Sequence, residues 1–163
     1  MNTEKLNHWL ALIANIGVLV GIIFLVIEIR QNTDALYAET NQAIFSGGQA
    51  ELYTSMEHPD IFRLMAHPGL EATFEERIRL DSFLTAALGA RQFAWRQYKA
   101  GSVDEATWET ELVIISILVG SERNREWWTE VGSLQFTGEF HDLVSEKIRT
   151  EPLHPYWKKL AAW

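Results

Sequence analysis

W-L-A-L-I-A-N-I-G-V-L-V-G-I-I-F-L-V-I, residues Trp9–Ile27, runs without a single charge, and Asn15 is its only strongly polar member. At about 1.5 Å per helical residue such a run reaches roughly 28 Å, close to the ~30 Å hydrocarbon thickness of a bilayer. Within hydrocarbon a single segment satisfies all its backbone donors and acceptors only as a helix. The expectation is therefore one transmembrane helix over residues 9–29. A buried core helix and a cleaved signal peptide pass the same apolar test. The signal peptide fits poorly, because Glu4 stands beside Lys5 at the start and no small-residue cleavage site follows.

Outward from that run, Glu28-Ile29-Arg30-Gln31-Asn32 returns the chain to water. On a helical projection Ala14, Gly17, Val18, Gly21 and Leu25 share one face, and Glu28 continues it. Gly17-x-x-x-Gly21 is the small-residue spacing that lets two helices approach closely. These six residues form the candidate self-association face. Arg30 points almost opposite, free to reach headgroups, and Trp9 suits the other membrane boundary. Lys and Arg near the two ends balance, one each, so the orientation favours a cytoplasmic domain only slightly.

The whole chain has 163 residues, 14 basic and 22 acidic, for a net charge of −8. Residues 1–30 hold two acids (Glu4, Glu28) and two bases (Lys5, Arg30), so the excess acid belongs entirely to the remainder. An acidic domain is repelled by nucleic acid, which is not expected as a partner. The absence of cysteine excludes disulfides, thiolate metal sites and cysteine nucleophiles. A hydrophobic content of 47%, with seven Trp and eight Phe, argues against disorder and for a packed core.

Beyond Arg30 the pattern stays helical. Thr33 and Asp34 either cap a new helix or sit on a continuing one. Tyr37, Ala38, Phe45, Leu52 and Met56 recur near one face, and Gly47-Gly48 is expected to interrupt that helix as a kink or a close crossing. His58-Pro59 ends it. A short helix spans Ile61–Met65. Thr73 with Glu76 forms a capping box opening a helix from Phe74 to Lys99, with Ile78, Leu84, Leu88, Trp95 and Tyr98 inward and Ala100-Gly101 as its stop. Ser102 or Asp104 restarts a helix whose apolar run Leu112–Val119 is expected to be the most buried. Gly120-Ser121 breaks it. A short helix around Trp127-Trp128 and an amphipathic one from Phe136 to Arg149 follow. No segment alternates with period two, so essentially no sheet is expected.

The fold class is all-α. An N-terminal tail (1–8) precedes the transmembrane helix (9–29), which continues into a compact soluble bundle of about four to six helices (30–150). A C-terminal tail (151–163), aromatic and basic, suits a membrane interface through Trp157 and Trp163, or docks on the bundle or a neighbouring copy.

The span running into V-I-E-I-R-Q-N-T (Val26–Thr33), together with R-Q-F-A-W-R-Q-Y-K-A-G-S-V-D-E-A-T-W (Arg91–Trp108) and R-E-W-W (Arg125–Trp128), resembles small uncharacterised bacterial inner-membrane proteins. The likeness covers most of the chain in scattered pieces. It implies a single-pass protein of the bacterial inner membrane with a helical domain, and implies no activity. Where those proteins carry Pro-Gly before the double-aromatic helix, this chain has Gly120-Ser121.

Chemistry is sparse. The five histidines (His8, His58, His67, His141, His154) make no H-x-x-x-H pair, and the one Glu-x-x-His, Glu151–His154, contains Pro152. No G-x-S-x-G elbow, S-x-x-K or phosphate loop is present. Catalytic residues, cofactors and metals are not expected. Arg91 lies on the stripe of Leu88 and Trp95, where a charge is costly unless paired. Its expected partner is Glu109 or Glu111 on the following helix.

Two functions compete. The first is a non-enzymatic membrane-anchored scaffold or accessory subunit, whose partners are lipid, copies of itself and another membrane complex. The second is a small homo-oligomeric channel with Gly17, Gly21 and Glu28 on its central face.

Overall fold

The computed structural model describes residues 3–163. Among them every regular element is helical: seven α-helices and one 3₁₀ turn. They are α1 (Thr3–Glu57), α2 (Pro59–Ala66), α3 (Phe74–Lys99), α4 (Glu105–Leu118), α5 (Glu122–Glu130), the 3₁₀ turn Gly132–Gln135, α6 (Gly138–Thr150) and α7 (Pro155–Ala162). The chain divides into two compact units, one ending at Glu39 and the other Thr40–Trp163.

In the first unit every described residue is exposed. Of the expected 1–8 tail, residues 1 and 2 lie outside the described residues and the rest is already helical from Thr3. Thr33 starts no new helix. Its hydroxyl donates to the carbonyl of Ile29 at 2.8 Å, the back-bond of a threonine inside a continuing helix.

The second unit is a bundle whose helix ends follow local chemistry closely. Thr73 caps α3, its hydroxyl accepting from the Glu76 amide at 3.2 Å while the Glu76 carboxylate accepts from the Thr73 amide at 2.8 Å. Asp104 caps α4 by accepting from the Thr107 amide at 2.8 Å, and Ser121 caps α5 by accepting from the Asn124 amide at 3.1 Å. Gly101, with φ +77°, closes α3 in the left-handed conformation that only glycine adopts cheaply. Ser102 donates back to Gln97 at 2.8 Å and Gly101 to Tyr98 at 2.9 Å, the paired bonds of a Schellman motif.

Leu84, Ala87 and Leu88 of α3, Ile115 of α4, Phe140 and Val144 of α6, and Ile61 and Met65 of α2 form the centre of the core. Each large apolar side chain so buried contributes about 1.5–3 kcal/mol. Aromatic pairs surround it: Tyr98 stacks on Trp108 at 5.5 Å and Trp128 on Phe136 at 5.5 Å.

Several expectations change. Gly47-Gly48 does not interrupt α1, which continues to Glu57; Gly47 instead marks a crossing, where an added Cβ would stand 4.0 Å from that of Ala90. The face of Phe45, Leu52 and Met56 looks outward, and the bundle packs on the opposite side, where Ile44, Gly47, Glu51 and Thr54 sit. Ile78 of α3 is half exposed. Three of eight residues are buried in α2 and three of nine in α5, against four of fourteen in α4, so α4 is not the most buried helix, and Val113 within its apolar run faces out. The last amphipathic helix begins at Gly138, with Phe136 buried in the turn before it.

The C-terminal segment follows the docking alternative. Residues Pro155–Ala162 form α7, and Trp157 is 4% exposed, packed against Phe62 with its indole N–H donating to the Ile117 carbonyl at 2.6 Å. Trp157 is therefore a bundle residue rather than a membrane-interface anchor. The terminal Trp163 is fully exposed.

Candidate functional site: one buried arginine between two glutamates

Arg91 lies in the third quarter of α3, one turn after Leu88 and Ala87, so helical periodicity turns it into the bundle. It is 4% exposed. Its Nη1 donates to the Ala87 carbonyl at 3.1 Å and to Glu51 Oε1 of α1. Its Nε stands 3.1 Å from Glu111 Oε2 of α4, close enough for an ion pair though not aligned for a hydrogen bond. One guanidinium thus joins three helices through two carboxylates.

The expected partner Glu111 is present at this site. Glu109, the alternative, is exposed, because two residues along α4 rotate it about 200° away. Glu51 is the partner that the sequence pattern did not single out. Its signal was an acid on the Ile44–Gly47–Thr54 side of α1, the side that periodicity alone did not assign to the bundle.

Burial raises the carboxyl of Glu51 above the ordinary glutamate range; Arg91 pulls it back by charge and hydrogen bond, and the Glu111 charge adds to the rise. Burial likewise raises Glu111, with Arg91 opposing. A single guanidinium divided between two desolvated acids does not cancel their burial. The cluster carries one net negative charge when all three groups are ionised, which adds to the cost of burying it.

Two hollows flank the Gly47–Ala90 crossing. The larger, about 480 Å³, is an open, mainly apolar groove between α1 and α3, with Glu51, Thr54, His58, Arg79 and Ser82 as polar members. The smaller, about 160 Å³, lies between Ala43, Phe93, Arg91 and Glu111. Small side chains at Gly47, Ala50, Ala86 and Ala90 leave this space. The contacts of Glu51 and Glu111 converge on Arg91, so the arrangement ties α1, α3 and α4 together.

Other polar contacts hold the ends of the bundle. Asp81 of α3 accepts from the Trp127 indole at 2.8 Å and from Gln135 Nε2 at 3.0 Å. Arg123 donates to the carbonyls of Leu64 at 3.0 Å and Pro68 at 2.7 Å, and also to that of Leu70, tying the α2–α3 connection to α5. Arg125 donates to those of Val119, Glu151 and Pro152, tying down the segment that leads into α7. The R-N-R-E-W-W stretch (Arg123–Trp128) is thus a clamp made of one short helix.

On α1 the candidate association residues Ala14, Gly17, Val18, Gly21, Leu25 and Glu28 are all exposed, as are Trp9 and Arg30. An added Cβ at Gly17 or Gly21 would meet nothing within 4 Å, leaving room for a neighbouring helix. Among the described residues no three His, Asp or Glu side chains are grouped as a metal site. No protein-family model, curated protein or solved structure matches the chain.

Proposed function

We propose that the chain is a single-pass scaffold or accessory subunit of the bacterial inner membrane, without catalytic activity. Residues 9–29 cross the bilayer, the span associates with its copies through Ala14, Gly17, Val18, Gly21, Leu25 and Glu28, and the bundle works in the cytoplasm. The observation that supports this reading best is the apolar run of α1. Its eighteen-residue most apolar window is 0% buried within the chain, so its hydrophobic surface has no intramolecular cover. Left in water, so long an exposed apolar run would aggregate; a bilayer removes that surface and satisfies the same helix. The resemblance to bacterial single-span proteins points the same way.

Membranes from cells making the tagged full-length chain test it. After alkaline carbonate washing the protein should remain in the membrane pellet, and mild detergent should release it as an oligomer, with or without a co-purifying complex. Release by carbonate overturns the span. A cation conductance in reconstituted bilayers, lost in Glu28→Gln, would replace the scaffold with the channel.

A further inference from the structure

We propose that the outward face of α1 beyond the span is a parallel coiled-coil seam for a second copy of this chain. The inference rests on the self-association reading above and extends it to a separate surface. On the part of α1 within the unit Thr40–Trp163, Phe45 is 66% exposed, Leu52 65%, Tyr53 65% and Met56 77%. A side chain of this size offers on the order of 150 Å², so the exposed fractions of the four come to about 400 Å², about half of the ~800 Å² that a partner buries in a standard stable interface. The bundle cannot cover them, because it occupies the opposite side of the same helix through Ile44, Gly47, Glu51 and Thr54.

The spacing identifies the occupant. Gln42, Phe45, Gln49, Leu52 and Met56 alternate by three and four residues, the a/d spacing of a left-handed coiled coil. Phe45 and Leu52 take the d positions, and Gln42, Gln49 and Met56 the a positions. In the sequence the same alternation continues back through Ala38, Ala35 and Gln31 to Glu28, and on through Phe24, Gly21 and Gly17. Phe45, Leu52 and Met56 are the large apolar residues at these positions, and a copy of the helix presents the same stripe by definition. The two glutamines lower the stability of such a seam and fix its register, as polar residues at a positions do. Each carries both donors and an acceptor, so in a parallel pair Gln42 meets Gln42 and Gln49 meets Gln49 without an unmatched charge.

The flanks are also self-complementary. In a parallel pair, residue g of one helix meets residue e five positions later on the other. Gly48 and Tyr53 have this relation. A Cβ at Gly48 would meet nothing within 4 Å, and Tyr53 is an exposed ring. The tyrosine of one copy fills the gap at the glycine of the other. Asp34 and Glu39 fall at the same offset and repel, at a cost of only a few tenths of a kcal/mol for exposed like charges. Copies inserted with the same topology are necessarily parallel.

A chain without cysteine gives a clean test. Single variants Gln42→Cys and Gln49→Cys lie on the seam, Ala43→Cys and Ala50→Cys lie off it, and Gly17→Cys reports the span alone. In native membranes under mild oxidation, the seam variants should give disulfide-linked dimers and the off-seam pair should remain monomeric. A span dimer at Gly17→Cys without seam dimers would leave self-association standing and overturn this inference. No dimer at any position would remove both. Equal cross-linking on and off the seam, or capture of a different protein at Gln49→Cys, also overturns it. As a second measurement, Phe45→Asp with Leu52→Asp should shift the detergent-extracted oligomer towards monomer while the helical circular dichroism stays unchanged.

Discussion

Arg91 is the residue on which the bundle's polar interior turns. Replacing it with Met removes the cation that two desolvated carboxylates share, and breaking a buried pair from one side costs about 3–5 kcal/mol. Glu51→Gln behaves differently: it keeps an acceptor for the guanidinium and leaves Arg91 balanced one-to-one with Glu111. Urea unfolding followed by tryptophan fluorescence should show Arg91→Met strongly destabilised and Glu51→Gln close to the parent or slightly more stable at pH 7. The pH dependence follows from the direction of the shifts. Because burial raises Glu51 and Glu111, the folded chain holds protons that the unfolded chain releases. Their contribution is full below the unfolded-state value, about 4.3 for glutamate, and is lost as pH rises through the higher folded-state values. Glu76 and Asp104 run the other way: hydrogen bonds from Thr73 and from Thr107 lower them, so their contribution is lost as pH falls. The difference between parent and Glu51→Gln isolates the first effect, and it should grow on going from acid to neutral pH. An unchanged difference across that interval would mean Glu51 ionises normally.

At the scale of elements, α7 is held by one side chain and one clamp. Trp157 fills the space beside Phe62 and donates to Ile117, while Arg125 grips the carbonyls of Glu151 and Pro152. Gly120 belongs to the same joint: its carbonyl accepts from the His154 amide at 2.8 Å, and an added Cβ would collide with His154 and the Ser116 carbonyl. Trp157→Ala should cost about 3–5 kcal/mol through the cavity it leaves. Trp157→Phe should cost nearer ~1 kcal/mol, since Ile117 keeps the Gly120 amide as a donor at 3.1 Å. Thermal unfolding in detergent distinguishes these. An unchanged melting point in Trp157→Ala, with weaker membrane retention, would return this tryptophan to the lipid interface.

For the molecule as a whole, the two compact units make different demands on solvent. The unit Thr40–Trp163 holds the buried apolar side chains, the capped helix ends and all three members of the Arg91 cluster. A fragment beginning at Thr40 should therefore unfold cooperatively and keep its sensitivity to Arg91→Met, but should no longer sediment with membranes. A fragment without cooperative unfolding would show that residues before Thr40 complete the bundle's core.

Much was legible in the residues themselves, and the reason is reach. A capping box, an aspartate N-cap, a left-handed glycine and a proline stop act within about one helical turn. Thr73, Asp104, Gly101 and Pro59 therefore declare the ends of their helices without knowledge of the rest. The charge-free run from Trp9 to Ile27 is equally local. What only tertiary structure decided is which side of an ambiguous helix is covered. On α1 beyond Thr40, the larger apolar stripe through Phe45, Leu52 and Met56 lost to Ile44, Gly47 and Glu51, because the small residues let α3 approach and Glu51 answers a buried cation 40 positions away in sequence. The same holds for Trp157, whose aromatic, basic surroundings read equally well as interface or core until Phe62 and the Ile117 carbonyl stand beside it. Such choices depend on contacts between distant segments, and no local pattern encodes them.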